Sequence, residues 1–138
     1  MWWIYALLSA VFASLTAITA KIGVNNVNSN LATGIRTIIV LLMIWFIIFA
    51  RNEHKEITFI TKQNIIFLIV SGICTGLSWI FYFRALKIGN VSQVALIDKF
   101  SIVLTIILAT FFLKEKIDIK TILGATFIVG GTLILLLK

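Results

Sequence analysis

Five long apolar runs, each ended by a cation, constrain this chain more than any other feature. They extend from about Trp2 to Ala20 (ended by Lys21), Leu31 to Ala50 (Arg51), Asn64 to Phe83 (Arg84), Val91 to Leu113 (Lys114) and Ile119 to Leu137 (Lys138). A continuous run of about 20 apolar residues spans the bilayer's hydrocarbon core as a helix, roughly 30 Å thick. Barrel strands would be about 10 residues long and would alternate in polarity. A helix also satisfies its own backbone groups where no water can. The pattern predicts an all-α integral membrane protein: five transmembrane helices forming one domain over residues 1–138.

Composition supports this reading. Of 138 residues, 61% are hydrophobic and only 12% are charged, against about 25% charged in a soluble domain. A soluble enzyme, a disordered chain and a disulfide-stapled secreted domain are excluded. The net charge is +7. In a soluble chain that would point to nucleic acid, but in a membrane protein it reflects Lys and Arg in loops facing anionic lipid. The bilayer, not nucleic acid, is the expected partner. The first run lacks a basic leader and four more runs follow it, so it reads as a retained helix, not a signal peptide. Cys74 is the single cysteine, which allows no intrachain disulfide and no cysteine-based metal site. The single His54 sits in the polar stretch from Arg51 to Glu56 and reads as a solvated loop residue. No nucleophile-and-base pair, phosphate-binding loop or metal-ligand spacing is present. No enzyme activity, cofactor or metal is expected.

Orientation follows from counting cations. With the N-terminus inside, the inner loops carry Arg51, Lys55, Lys62, Lys114, Lys116 and Lys120, and the outer ends carry Lys21, Arg84, Lys87 and Lys138. Six against four favours N-in, C-out, and so small a margin leaves dual insertion open. Five spans put the termini on opposite sides, so a second copy in tandem would be inverted, as in many transporters. The chain reads as half of such a design, with a homodimer (antiparallel or not) or a similar five-helix partner expected. It contains no proline, so broken helices are not expected and any kink is assigned to glycine.

Charges within the runs are the first candidates for function, because lipid penalises them by about 2.5–3.5 kcal/mol each. Arg36 lies in the second run, and Asp98 and Lys99 lie in the fourth. In the five-span topology Lys21, Arg36, Arg84 and Lys99 share one layer with a single acid, Asp98. One reading has the cations snorkel while Arg36 and Asp98 form a structural ion pair. The other is a basic vestibule for anionic substrates with Asp98 as the coupling group. Polar stripes add Ser71, Thr75, Ser78 and Tyr82 on one face of the third run, beside Gly72, Gly76, Trp79 and Phe83. Asp98, Ser101 and Thr105 form a similar stripe in the fourth run. These faces are read either as helix-to-helix contacts or as the wall of a substrate cavity. Small residues, namely Ala13 and Ala17 in the first run, Gly72 and Gly76 in the third, and Gly124, Gly130 and Gly131 in the fifth, are candidates for close helix packing.

The stretch Trp79-Ile80-Phe81-Tyr82-Phe83-Arg84-Ala85-Leu86-Lys87-Ile88-Gly89 resembles the end of the third helix of an EamA-type repeat. Ala95 to Ser101, Phe112-Leu113-Lys114-Glu115-Lys116 and Gly124 to Gly131 continue the likeness, and Thr19 to Gly23 and Gly34 to Thr37 fit its first half. The pattern is similar to the short, single-repeat form of the drug/metabolite transporter superfamily. Two departures stand out: Lys114-Glu115 where the family often has Gly-Glu, and Leu96-Ile97 where many members have a proline. The resemblance implies secondary transport of a small metabolite or drug-like solute across the cytoplasmic membrane, by alternating access between paired five-helix units. A non-transporting membrane scaffold is the alternative.

Overall fold

The computed structural model describes residues 1–136, and every regular element among them is helical. The chain divides into two compact units, Met1–Ile88 and the residues from Gly89 onward.

The first unit holds three long helices: α1 (Trp2–Val24), α2 (Ser29–Ala50) and α3 (Lys62–Ile88). Each outruns its apolar run at one end or both. Lys21 lies inside α1, and Arg84 and Lys87 lie inside α3, so none of them closes a helix. Hydropathy marks where solvent changes, whereas helix ends are set by caps. The caps here are local. The Asn28 side chain accepts the Asn30 N–H at 2.9 Å to start α2, and the Thr61 hydroxyl accepts the Asn64 N–H at 3.2 Å to start α3.

The stretch expected as a loop after Arg51 is instead a 3₁₀ helix over Glu53–Phe59, entered through Asn52 in the left-handed region (φ 58°). It corrects the reading of His54. The imidazole is half-buried against Phe49, ring centroids 5.4 Å apart, and its Nδ1 is shielded from solvent without a hydrogen-bond partner among the described residues. The turn of the 3₁₀ helix folds the ring back onto α2, which a polar stretch does not announce.

The second unit contains α4 (Val91–Asp98), α5 (Ser101–Leu108), a π-helical turn over Ala109–Leu113, and α6 (Ile119–Leu136). The fourth run is therefore interrupted, against the expectation of unbroken helices, and no glycine is involved. At the interruption Lys99 and Phe100 keep right-handed helical angles, but the N–H groups of Lys99, Phe100, Ile102 and Val103 bond three residues back instead of four. The segment is overwound, not unwound. Thr132 of α6 supports it from the side. This fully buried residue has its hydroxyl 2.8 Å from the Ile128 carbonyl and 3.4 Å from the Leu96 carbonyl, a donor shared between helices. The π turn ends on Lys114 in the left-handed region (φ 53°). That conformation suits glycine best, and here a lysine holds it.

Among the described residues four stretches are long and apolar enough to cross a membrane: Trp2–Val24, Ser29–Ala50, Lys62–Ile88, and Val91–Leu113 taken through its interruption. The fifth run forms the apolar helix α6, Ile119–Leu136. The expected end of that run at Leu137 and Lys138 lies outside the described residues.

Candidate functional site

The first unit buries side chains at one end only. Ala17, Val24, Thr33, Phe83 and Leu86 are its buried residues, drawn from the end of α1, the start of α2 and the end of α3. At the opposite end, residues 2–15 of α1, 41–47 of α2 and 62–75 of α3 are exposed throughout. Lys21, Arg36 and Arg84 of the expected basic layer lie toward the buried end, whereas Lys99 and Asp98 belong to the second unit.

Lysines pin that end together. The Lys21 ammonium donates to the Leu86 carbonyl, joining α1 to the last turn of α3. The Lys87 ammonium donates to the Val27 carbonyl at 2.9 Å, joining α3 to the connection before α2. The Leu86 carbonyl lies in the last turn of α3, where helix geometry leaves acceptors without an intrahelical donor, and the Val27 carbonyl lies in the connection outside either helix. Lys21, expected as a pathway residue, thus ties α1 to α3. A charged donor on a part-buried carbonyl contributes about 1.5–3 kcal/mol, and less where it is exposed. Lys21→Met is accordingly expected to lower the melting temperature of the detergent-solubilised protein clearly more than Lys87→Met, whose bond is exposed. Equal melting of the two variants would remove the pinning role of Lys21.

Arg36 lies seven residues into α2, about 10 Å along the helix from its start. It is half-buried, and its guanidinium carbon sits 4.4 Å from the centre of the Trp79 ring and 5.3 Å from that of Phe83. Trp79 and Phe83 are four residues apart on α3, so they present adjacent rings on one face. A cation held by two ring faces gains about 0.5–2 kcal/mol from each good contact, which offsets part of the lipid penalty. The carboxylates of this unit, Glu53 and Glu56, lie beyond the far end of α2. Of these, Glu53 pairs with Arg51 at 3.4 Å. Two further residues bracket Arg36 on its own helix. Thr33 and Thr37 turn their hydroxyls back onto the carbonyls of Ser29 and Thr33, at 2.9 and 2.8 Å.

Two clefts of about 320 Å³ each open at this end. One is largely apolar and joins Arg36 and Phe83 to Thr19, Ala20, Gly23 and Val27. The other is polar and joins Arg84 and Lys87 to Asn28, Ser29 and Asn30.

The remaining candidates scatter. Ser71, Thr75 and Ser78 are exposed, with the Thr75 hydroxyl turned onto the Ser71 carbonyl at 2.9 Å, and Tyr82 is half-buried. In the second unit Asp98 ends α4 before the overwound link, and Ser101 and Thr105 lie on α5 after it. All three are exposed, and the Thr105 hydroxyl turns back onto the Ser101 carbonyl at 2.8 Å. Of the packing candidates Ala17 is buried and Ala13 is exposed, while a methyl built on Gly72, Gly76, Gly124, Gly130 or Gly131 would meet nothing within 4 Å. Phe83 and Thr132 were not singled out as functional by sequence. The four-residue spacing from Trp79 was the available signal for Phe83, and Thr132 carried none.

The model of the EamA-like transporter family matches residues 1–137. A protein of Sinorhizobium sp described as "Uncharacterized transporter in cobO 3'region" is 46% identical over 134 residues, which cover 97% of this chain and 95% of that protein. No solved structure matches. With four stretches long and apolar enough to cross a membrane, a further apolar helix and a family match along nearly its whole length, the chain belongs to the EamA-like transporter family and is a multi-pass membrane protein of the transporter kind.

Proposed function

We propose that the chain is half of a secondary transporter working by alternating access. In this reading it forms one domain of five transmembrane helices in the cytoplasmic membrane, oriented N-in, C-out or in both senses. Two copies pair, and the pathway for a small metabolite or drug-like solute runs between them past Arg36, Ser71, Ser78, Trp79, Tyr82 and Arg84. One observation carries the proposal: the first unit buries residues at one end and leaves polar and glycine-bearing faces open along the rest of α3. Ser71, Thr75, Ser78, Gly72 and Gly76 gain little from lipid but suit a partner helix or water. Asp98 is the acid within the spans and is the coupling group of this reading.

Reconstitution tests it. Purified protein in liposomes is expected to exchange a labelled solute from a metabolite panel against unlabelled solute inside. A proton gradient should change the rate, and Asp98→Asn should abolish that response while leaving exchange intact. No exchange across the panel would sink transport, and exchange indifferent to pH would remove Asp98 from coupling. Orientation is read separately, by labelling single cysteines at each terminus in a Cys74→Ala background. Labelling of both termini on both sides supports antiparallel pairs, and every C-terminus on one side overturns them.

A further inference from the structure

We infer that Arg36 with Trp79 and Phe83 forms a head-group subsite for a solute carrying an oxyanion on a small apolar body. The inference deepens the transport reading and rests on it for calling the ligand a solute.

The guanidinium has two kinds of binding capacity. Its charge is engaged by two aromatic rings, at 4.4 Å and 5.3 Å. Contact with a ring face uses charge but not the N–H donors, of which arginine has five in a rigid planar fork. Among the described residues none of those donors has a hydrogen-bond acceptor, and the carboxylates of its own unit lie about 25 Å or more away along α2. A fork of this geometry takes a carboxylate or phosphate edge in two parallel hydrogen bonds.

The surroundings select the rest of the ligand. The cleft reaching Arg36 holds about 320 Å³ and is walled by Ala20, Gly23, Val27 and Phe83, with the Thr19 hydroxyl turned onto its own helix. That volume lies at the lower end for small-molecule sites. Its walls favour a short hydrocarbon or aromatic body. Arg84 and Lys87, lining the neighbouring polar cleft, make this end positive. A cationic solute would be repelled, and a neutral one would leave the fork unpaired. An oxyanion could come from a free solute or from a lipid phosphate, and the chemistry at Arg36 is the same for both.

Trp79 serves as the reporter. The variant Trp2→Phe, Trp3→Phe, Trp45→Phe keeps it as the single tryptophan. In phosphatidylcholine nanodiscs this protein is titrated with hexanoate, hexanol and hexylammonium, each corrected with protein-free discs. Hexanoate is expected to shift Trp79 emission saturably while the other two do not. Arg36→Gln should weaken the response by roughly ten- to a hundredfold, as losing charged hydrogen bonds does, and Arg36→Lys should fall between. Equal responses to all three heads would overturn the subsite on the unmutated side chain alone, whether or not Arg36→Gln folds. A shift produced by phosphatidylglycerol discs that hexanoate cannot reverse would assign the oxyanion to lipid and overturn the solute. Hexanoate binding without exchange in liposomes would leave the subsite standing and remove the transport reading. Exchange that shows no preference for anions and survives Arg36→Gln would do the reverse.

Discussion

Gly72→Leu combined with Gly76→Leu is expected to leave each chain folded while abolishing both pairing and solute exchange. Neither position resists a side chain within the chain, because a methyl at either meets nothing within 4 Å. Helix α3 should even gain, since glycine costs a helix interior about 1 kcal/mol relative to better formers. The loss lies outside the chain. In lipid no hydrophobic drive brings helices together, and small residues allow the close backbone approach on which association depends. Gly72 and Gly76 continue along α3 the stripe of Trp79 and Phe83. Toward its C-terminal end that stripe is covered by Arg36 of α2, while at the glycines it is open. Isobutyl groups there would hold a partner helix several ångströms off. The dimer dissociation constant should rise by about a hundredfold, equivalent to about 2.7 kcal/mol. Fluorescence energy transfer between labelled chains in liposomes measures pairing, and far-ultraviolet circular dichroism checks that helix content is kept. Retained pairing with lost exchange would mean the open face lines the pathway. Retained pairing with retained exchange would mean it faces lipid.

The apolar runs made the membrane class legible because lipid is a solvent with one requirement, and a run of suitable length meets it. Helix ends were less legible. Lys21 and Arg84 read as borders since they end apolar runs, yet both lie inside helices whose caps sit several residues further on. The break in the fourth run was not legible at all. Its overwound turn is supported by Thr132, on a helix more than thirty residues later, and no local pattern encodes such a donor. The basic layer was partly legible. Charge in an apolar run singled out Arg36, and the stripe beside the polar face contained both of its aromatic partners. What sequence could not give was the division of labour among cations: Lys21 and Lys87 are spent on carbonyls, whereas Arg36 is held by rings with its donors unspent. Spacing along a helix does not say which acceptor a neighbouring helix offers.

Phe83→Ala and Leu86→Ala should both loosen the first unit, and only Phe83→Ala should also weaken anion binding. Both side chains are buried, Phe83 at 3% exposure and Leu86 at 0%, and so few buried residues leave little to share the loss. In soluble proteins such truncations cost about 2–5 kcal/mol, combining lost transfer from water with the cavity left behind. In lipid the transfer part largely disappears, because acyl chains are as apolar as the side chain. What remains is lost dispersion contact, so about 2 kcal/mol is expected for each variant. Phe83 differs in also carrying Arg36, at 5.3 Å from its ring centre. Without that ring the guanidinium keeps Trp79 alone and is less firmly placed. Leu86 touches the lysine pin only through its backbone carbonyl, which alanine retains. Thermal melting in detergent should therefore fall alike for the two variants. Hexanoate affinity, read from Trp79, should fall several-fold for Phe83→Ala and stay near the parent value for Leu86→Ala. If affinity falls equally in both, Phe83 acts on the subsite only by holding the helices together. If it falls in neither, Trp79 is sufficient to hold the guanidinium and Phe83 belongs to the core alone.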